Sequence, residues 1–339
     1  MITAQKTTTK GKRMSNQPRR ELAQLIAGGL KVQATSATQV AEQANLDWNV
    51  SLADLNASII DSNGVTTLPV VDKFATIKTT KDGTHSVIGT VGSRYKVFQN
   101  SELFSVLDIL ADSGDARYAM AGEIKNGSQV YMMMELPDTI SIQGDPHAAY
   151  LLARTSHDGS CALGIAPIVN RLRCTNQISG IFKSTKTFNL RHTSRAELKP
   201  QVIREYLKLV YDDLDFYREL ANDLYRKTAQ PGDINRVVKQ VFPLDPSIEN
   251  YKIWQLSPGE KRMRTKAEEA RSQVRYIYNG GTGTQQELHG TAYGIYQALV
   301  EYSDHYSHKK SDVRADRILT GKSELFKRNA LRTVRQMIK

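Results

Sequence analysis

Two apolar runs of strand character, Ala149–Ala153 and Cys161–Ile168, face each other across His157, Asp158 and Gly159. Asp-Gly between such runs is a strong hairpin signal, because Gly accepts the positive φ that a tight turn needs. A hairpin at this point anchors an antiparallel sheet. Pro167 has no amide hydrogen to give a neighbour, so the second run is expected at a bend or sheet edge. Arg171 and Arg173 alternate with Leu172 and Cys174, which in a strand puts both arginines on one face. Thr175 and Asn176 read as N-caps for a short helix, Gln177–Phe182. Lys183, Lys186, Arg191, His192 and Arg195 follow. From 149 to 195, seven Lys/Arg stand against a single acid, Asp158.

That island matters because of where the remaining charge sits. The 339-residue chain has a net charge of +11. Residues 1–20 hold six Lys/Arg and no acid, and residues 309–339 hold ten against three acids. The chain between them is close to neutral, so the island at 149–195 is a local excess. Basic ends plus a basic island suit a polyanion, most simply nucleic acid. Two cysteines, Cys161 and Cys174, exclude a disulfide scaffold and a four-thiolate zinc site, and read as buried free thiols. No run approaches the ~18 apolar residues of a membrane span, and the basic N-terminus lacks the apolar core of a signal peptide. These features predict a cytoplasmic protein in a reducing compartment, without membrane contact.

Period and turn signals predict an α+β fold: a mixed, mainly antiparallel sheet core with a helical C-terminal half. Residues 1–20 are too poor in apolar side chains to fold alone and read as a disordered basic arm. The core is expected over 21–198, and a helical region packing on or extending it over 199–339. Within the core, a helical pattern runs through Leu22, Leu25, Ile26 and Leu30, and Ser51–Ile60 reads as a short amphipathic piece. Strands are predicted at Leu68–Thr79 and His85–Val91 around Asp82-Gly83, with Tyr95–Phe98 extending the pattern. A helix capped by Asn100 or Ser101 runs to Ser113-Gly114. A second hairpin pairs Ala116–Ile124 with Gln129–Leu136 around Asn126-Gly127, the favoured type I′ pair. Val130–Met134 reads as a strand packed on both faces. Later helices are predicted at Val202–Lys227, Asp233–Phe242, Ser257–Tyr278, Gln285–Ser307 and Lys322–Ile338. The very charged 257–278 segment reads as exposed or facing a partner.

Four constellations invite a chemical reading. Arg154, Arg171, Arg173, Lys183, Lys186, Arg191 and Arg195, with Asn176 and His192 among them, would grip phosphates along one sheet face. Tyr150, Phe182 and Phe188 are placed to stack on bases. His157-Asp158 with His192 has the composition of an acid–base or metal site, although Asp158 also shapes the turn. Glu301, Asp304, His305 and His308 fall at i, i+3, i+4 and i+7 and share a helical face. Carboxylates and imidazoles so placed suit a divalent metal, with His289 as a further candidate ligand, yet a polar hydrogen-bonded face is the simpler account. Thr320-Gly321-Lys322-Ser323 ends like a phosphate-binding loop, but Asp316 occupies the position of the required earlier Gly, so ATP chemistry is not expected. No catalytic residue and no resident cofactor or metal is assigned.

The segments RYKVFQN (94–100), SHDGS (156–160), NRLRCTN (170–176), RHT (191–193) and GTAYGIYQALVEYSDH (290–305) stand in an order that resembles an uncharacterised phage/plasmid-like protein family. The resemblance covers about residues 45–335. The chain departs from it at Gln177, usually Thr there, and at Tyr293, often Trp. A more distant similarity is to single-strand annealing proteins of the RecT/Erf type, which are basic, oligomeric and independent of ATP. The strands at 116–136 and 149–174 with a helix from Gln177 would supply their strand-strand-strand-helix kernel. These resemblances imply a phage- or plasmid-borne DNA-binding protein of recombination or replication, annealing single strands as a homo-oligomer in the host cytoplasm. The rival expectations are a metal-dependent nuclease using Glu301, Asp304, His305 or the His157-Asp158 pair, and a structural or host-interaction protein.

Overall fold

Alternating apolar residues and well-placed turns make the first half of the chain sheet, and amphipathic repeats make the second half helix. In the computed structural model, the described residues are 29–62, 64–172, 176–178, 188–190, 200–319 and 322–338. The expected arm at 1–20 and the basic residues Arg173, Lys183, Lys186, Arg191, His192 and Arg195 lie outside them.

The main sheet takes β1 (Leu30–Lys31), β5 (Arg117–Ile124), β6 (Gln129–Ile142), β7 (Asp145–Ser156), β8 (Leu163–Arg171), β9 (Asn176–Ile178) and β10 (Phe188–Leu190). Its order is β1-β5-β6-β7-β8-β10, and β9 also pairs with β8. All its described pairings are antiparallel. Asn126 and Gly127 both take positive φ in the β5–β6 turn, as the Asn-Gly signal requires. The β7–β8 hairpin turns at His157–Ser160, and Gly159 supplies the positive φ. On its other side β8 pairs with β10 at 163–165 and with β9 at 169–171, leaving a gap around Pro167.

A second sheet is formed by β2 (Asn49–Asp61), β3 (Gly64–Thr79) and β4 (His85–Gly92), in that order. Four sequence expectations fail here and at the β8 end. Ser51–Ile60 is strand, because Asn49–Asp61 pairs along β3. Tyr95–Phe98 is not strand, since the chain turns away after Gly92. Gln177 and Ile178 pair with β8 as strand, where a helix was predicted. Cys161 is only partly buried, because it lies in the loop between the turn and β8.

The helices are α1 (Ala37–Gln43), α2 (Asn100–Phe104), α3 (Asp108–Asp112), α4 (Pro200–Arg226), α5 (Asp233–Val241), α6 (Pro246–Asn250), α7 (Pro258–Tyr278), α8 (Ala292–Glu301), α9 (Ser311–Leu319) and α10 (Lys322–Met337). A π-helical turn, Tyr302–Tyr306, extends α8. The fold is therefore α+β with antiparallel sheets and a helical C-terminal half, as the sequence predicts. One core joins sheet to helices. Val130, Met132, Met134, Leu151, Ala153, Ile165 and Val169 meet Val210, Leu214 and Tyr217 of α4 and Ile295 and Leu299 of α8. The opposite sheet face carries Met120, Ile124, Tyr131, Met133, Leu152 and Ile168, with Ala315 of α9 packed on it. Tyr131–Met134 are fully buried, as a strand covered on both faces must be.

Candidate functional sites: a buried polar junction and an exposed aromatic–basic patch

Arg171 and His147 are cross-strand partners on β8 and β7. Both side chains enter the face beneath α4 and α8 and are completely buried. Arg171 therefore does not offer its guanidinium to a phosphate. Its Nε donates to Asp145 Oδ2 at 2.5 Å and its Nη1 to the Thr284 carbonyl at 2.8 Å. Helices from later in the chain cover the face that Arg171 enters, and the alternation predicted through Arg173 and Cys174 lies outside the described residues.

The hydrogen bonds around His147 fix one another's direction. His147 Nδ1 lies 2.9 Å from the Asp145 carbonyl, which can only accept, so Nδ1 carries the proton. Burial, offset in part by Asp145, pulls His147 down to about 4, so the ring is neutral and Nε2 is an acceptor. The Tyr293 hydroxyl, 2.9 Å away, then donates to Nε2. With its proton so used, Tyr293 accepts from Gln297 Nε2 at 2.8 Å and from the Tyr217 hydroxyl at 2.9 Å. Burial, reinforced by Tyr293, pushes the Tyr217 phenol well above its usual range, so it stays a donor.

Beside this junction, Glu301 Oε2 accepts from Thr284 Oγ1 at 2.5 Å and Gln285 Nε2 at 2.9 Å. Asp304 pairs with Lys327 of α10 at 2.6 Å, both fully buried. His289, the further metal candidate, stacks on Tyr278. The two carboxylates thus look to different partners, and among the described residues no three His, Cys, Asp or Glu groups gather as a metal site.

The His157-Asp158 turn is a docking piece between the two sheets. His157 Nε2 reaches Asn100 Oδ1 at 2.7 Å, and Asn100 Nδ2 donates to the Leu46 carbonyl at 2.6 Å. Asp158 accepts from Ser128 Oγ and the Ser160 amide. Burial works to raise its carboxyl, but the hydrogen bonds from Ser160, Ser128 and Ser156 outweigh it and hold Asp158 below the usual carboxylate range. A Cβ on Gly89 of β4 would stand 2.5 Å from the Asp158 Cα, so only glycine lets the turn settle there.

Of the other predicted phosphate-binding residues, Arg154 is half-buried on the opposite face of β7 from Arg171, and Asn176 opens β9. An aromatic cluster that sequence reasoning missed lies in the proline-bounded stretch before α7. Trp254, in a 3-10 turn over Ile253–Gln255, is 71% exposed, and Tyr251 is 54% exposed. Lys252 Nζ sits 5.1 Å from the Trp254 ring centre. Arg264 Nη1 donates to the Tyr251 carbonyl at 2.7 Å, which draws the first turns of α7 against this segment. Those turns add Lys261, Arg262 and Lys266, with Met263 also exposed. Ser257 caps α7 in a capping box with Glu260, fixing where the helix begins. Two large aromatics between Pro246 and Pro258 were the available signal. A rigid indole with a lysine over its ring, on a segment tied to a basic helix, can stack on a base while the cations hold phosphates.

The family model of DUF932, a domain of unknown function, matches residues 87–329. No curated protein and no solved structure matches. No helix among the described residues is long and apolar enough to cross a membrane.

Proposed function

The chain belongs to the DUF932 family, a domain of unknown function, and from that footing we propose that it binds single-stranded DNA. The fuller reading is a phage- or plasmid-borne recombination or replication protein that anneals strands without ATP in the host cytoplasm. The observation that carries the proposal is the exposed Trp254–Tyr251 pair, with Lys252 5.1 Å from the indole centre and Arg264 bonded to the Tyr251 carbonyl, at the start of a helix that also bears Lys261, Arg262 and Lys266. In this reading the cations neutralise successive phosphates, and Trp254 and Tyr251 stack on bases without reading their edges. Bases beyond the platform stay free to pair with a second strand. The net charge of +11 favours approach of any nucleic acid. Arg154, Arg173, Asn176, Lys183, Lys186, Arg191, His192 and Arg195 keep their place through the sequence alone. Arg171 leaves the proposal, because it is spent on Asp145. The nuclease reading is less favoured because Glu301 is held by Thr284 and Gln285 and Asp304 is paired with Lys327.

Tryptophan fluorescence tests the proposal directly. The chain has two tryptophans, and Trp48 is buried. Titration with oligothymidine should quench the exposed Trp254 and leave Trp48 emission. Trp254→Ala should weaken binding by about 1–3 kcal/mol with an unchanged unfolding midpoint. Salt-insensitive binding, or equal affinity in the variant, would remove this surface from the account.

A further inference from the structure

Among the described residues three arginines are buried: Arg171, Arg271 and Arg314. Two of them are matched to carboxylates, Arg171 to Asp145 and Arg271 to Glu249 and Glu268. Arg314 of α9 is not. Its Nη1 donates to the carbonyls of His308 and Lys309 at 2.7 and 2.8 Å, which ties α9 to the segment that follows the π turn. Carbonyls near a helix end offset only part of a full charge. Arg314 Nε is shut away from solvent with no hydrogen-bond partner, and no carboxylate among the described residues pairs with this side chain. A buried guanidinium in that state lacks its counter-charge. Arg317, three residues on, shares the same face of α9 and repeats the pattern, with its own Nε buried and unpartnered. Asp316 stands beside it in the sequence but pairs with Lys125 and Lys322.

His308 adds a third group. Ser307 Oγ donates to the Ser303 carbonyl at 2.6 Å, so it accepts from His308 Nδ1 at 2.9 Å. Nε2 is then the nitrogen left for a ligand. Burial, then Arg317 of α9 and Lys266 of α7, hold His308 below its ordinary value. Cations from two helices thus act on one imidazole. The other charged groups of the surrounding elements do not relieve it. Asp304 of the π turn pairs with Lys327 of α10, and Glu268 of α7 with Arg271. Glu269 acts on Tyr302, and His305 is buried within the π turn. Lys309 and Lys310, which follow His308, are exposed and add to the positive charge.

We propose that Arg314, Arg317 and His308, within electrostatic reach of Lys266, form a seat for a phosphate monoester or free phosphate. A guanidinium matches phosphate oxygens with its fork of N–H donors, and a protonated imidazole donates from Nε2. A monoester carries about −1.5 to −2 charges near neutrality, which suits several cations without a carboxylate better than the single charge of a diester. A small phosphorylated molecule and the 5′-phosphate at the end of a DNA strand share this chemistry. The seat does not rest on the Trp254 platform or on DNA binding.

Thermal unfolding of the full chain, in inorganic phosphate against chloride at equal ionic strength, tests the seat. Phosphate also stabilises folded proteins by exclusion from their surface, so the variants Arg317→Ala and His308→Gln set the baseline. The wild type should show a saturable rise in midpoint. Each variant should need about tenfold more phosphate for the same rise, with its midpoint in chloride unchanged. Histidine NMR gives a readout that a merely structural role would not move. The resonance missing from His308→Gln identifies His308, and its pKa should rise on phosphate titration, because a bound anion opposes Arg317 and Lys266. Oligothymidine with a 5′-phosphate or a 5′-hydroxyl separates the two sources. A preference for the phosphorylated end that Arg317→Ala abolishes assigns the strand terminus, and equal binding of the two with the phosphate response intact assigns a small phosphorylated molecule. A rise that never saturates and is shared by wild type and both variants, or a His308 that titrates alike with and without phosphate, would overturn the proposal.

Discussion

Arg171 and Arg262 carry the same guanidinium into opposite surroundings. Arg171 is fully buried between Asp145 and the Thr284 carbonyl. Arg262 stands in solvent in the first turns of α7, the helix that follows the Trp254 segment. The contrast recurs within α7, where Arg271, near its far end, is buried against the Phe242 carbonyl, Glu249 and Glu268. Residue type and spacing therefore say which side chains share a face. They do not say which face a distant element will cover. A buried guanidinium matched to a carboxylate fixes how sheet and helices meet, whereas an exposed one remains available to a ligand.

The contrast breaks most sharply at Arg171. Removing one member of a buried pair leaves an uncompensated charge, which costs about 3–5 kcal/mol. Arg171→Ala should therefore lower stability by about that much in urea unfolding, while Arg262→Ala should leave stability within ~0.5 kcal/mol. Arg171→Met combined with Asp145→Leu should cost less than Arg171→Ala, because no bare charge remains. Equal losses at the two arginines would dissolve the distinction between junction and patch.

The junction also carries a pH signature that the patch lacks. Folding pulls His147 from its ordinary value of 6.5 to about 4, chiefly through burial. Above pH 6.5 the ring is neutral in both states and its contribution to stability is fully present. As pH falls from 6.5 toward 4 the unfolded chain takes up a proton that the folded ring refuses. Stability should drop over that window by up to about 3 kcal/mol. His147→Gln should flatten it, so the difference between wild type and variant isolates this residue from carboxylates that titrate nearby. A difference that stays constant from pH 7 to pH 4.5 would mean that His147 charges freely in the folded state.

Much of the scaffold was legible because its signals are local. Asn126-Gly127 and Asp158-Gly159 each set a turn through a backbone conformation their own residues prefer, and the β5–β6 and β7–β8 hairpins follow. The run of Tyr131–Met134 announced a strand covered twice. The failures are equally physical. Ser51–Ile60 mixes small, polar and β-branched residues without a clean period, and only pairing with Gly64–Thr79 makes it strand. The Glu301–His308 stripe assumed a continuous α-helix, but the π turn at Tyr302–Tyr306 rotates the later groups, so Glu301 and Asp304 take different partners. Tyr251 and Trp254 carry no legible signal of their own, because no periodicity reports that an aromatic outside a regular element stays in solvent.

The smallest effects belong to single cations of the patch, and they sharpen the comparison because they should touch binding alone. A cation that neutralises one phosphate contributes to the slope of log affinity against log salt, about 0.7 per contact on a single strand. Lys261→Ala and Arg262→Ala should each weaken oligothymidine binding modestly and reduce that slope by about one contact, whatever the sequence bound. Lys252→Ala should lose its phosphate contact and also its hold over the Trp254 ring, 5.1 Å away. It should therefore lower affinity at high salt as well, where the other two variants converge on wild type. Fluorescence anisotropy from low to high salt resolves the two behaviours. If all three variants lose affinity in parallel at every salt concentration, the cations act on the shape of the segment and not on phosphate.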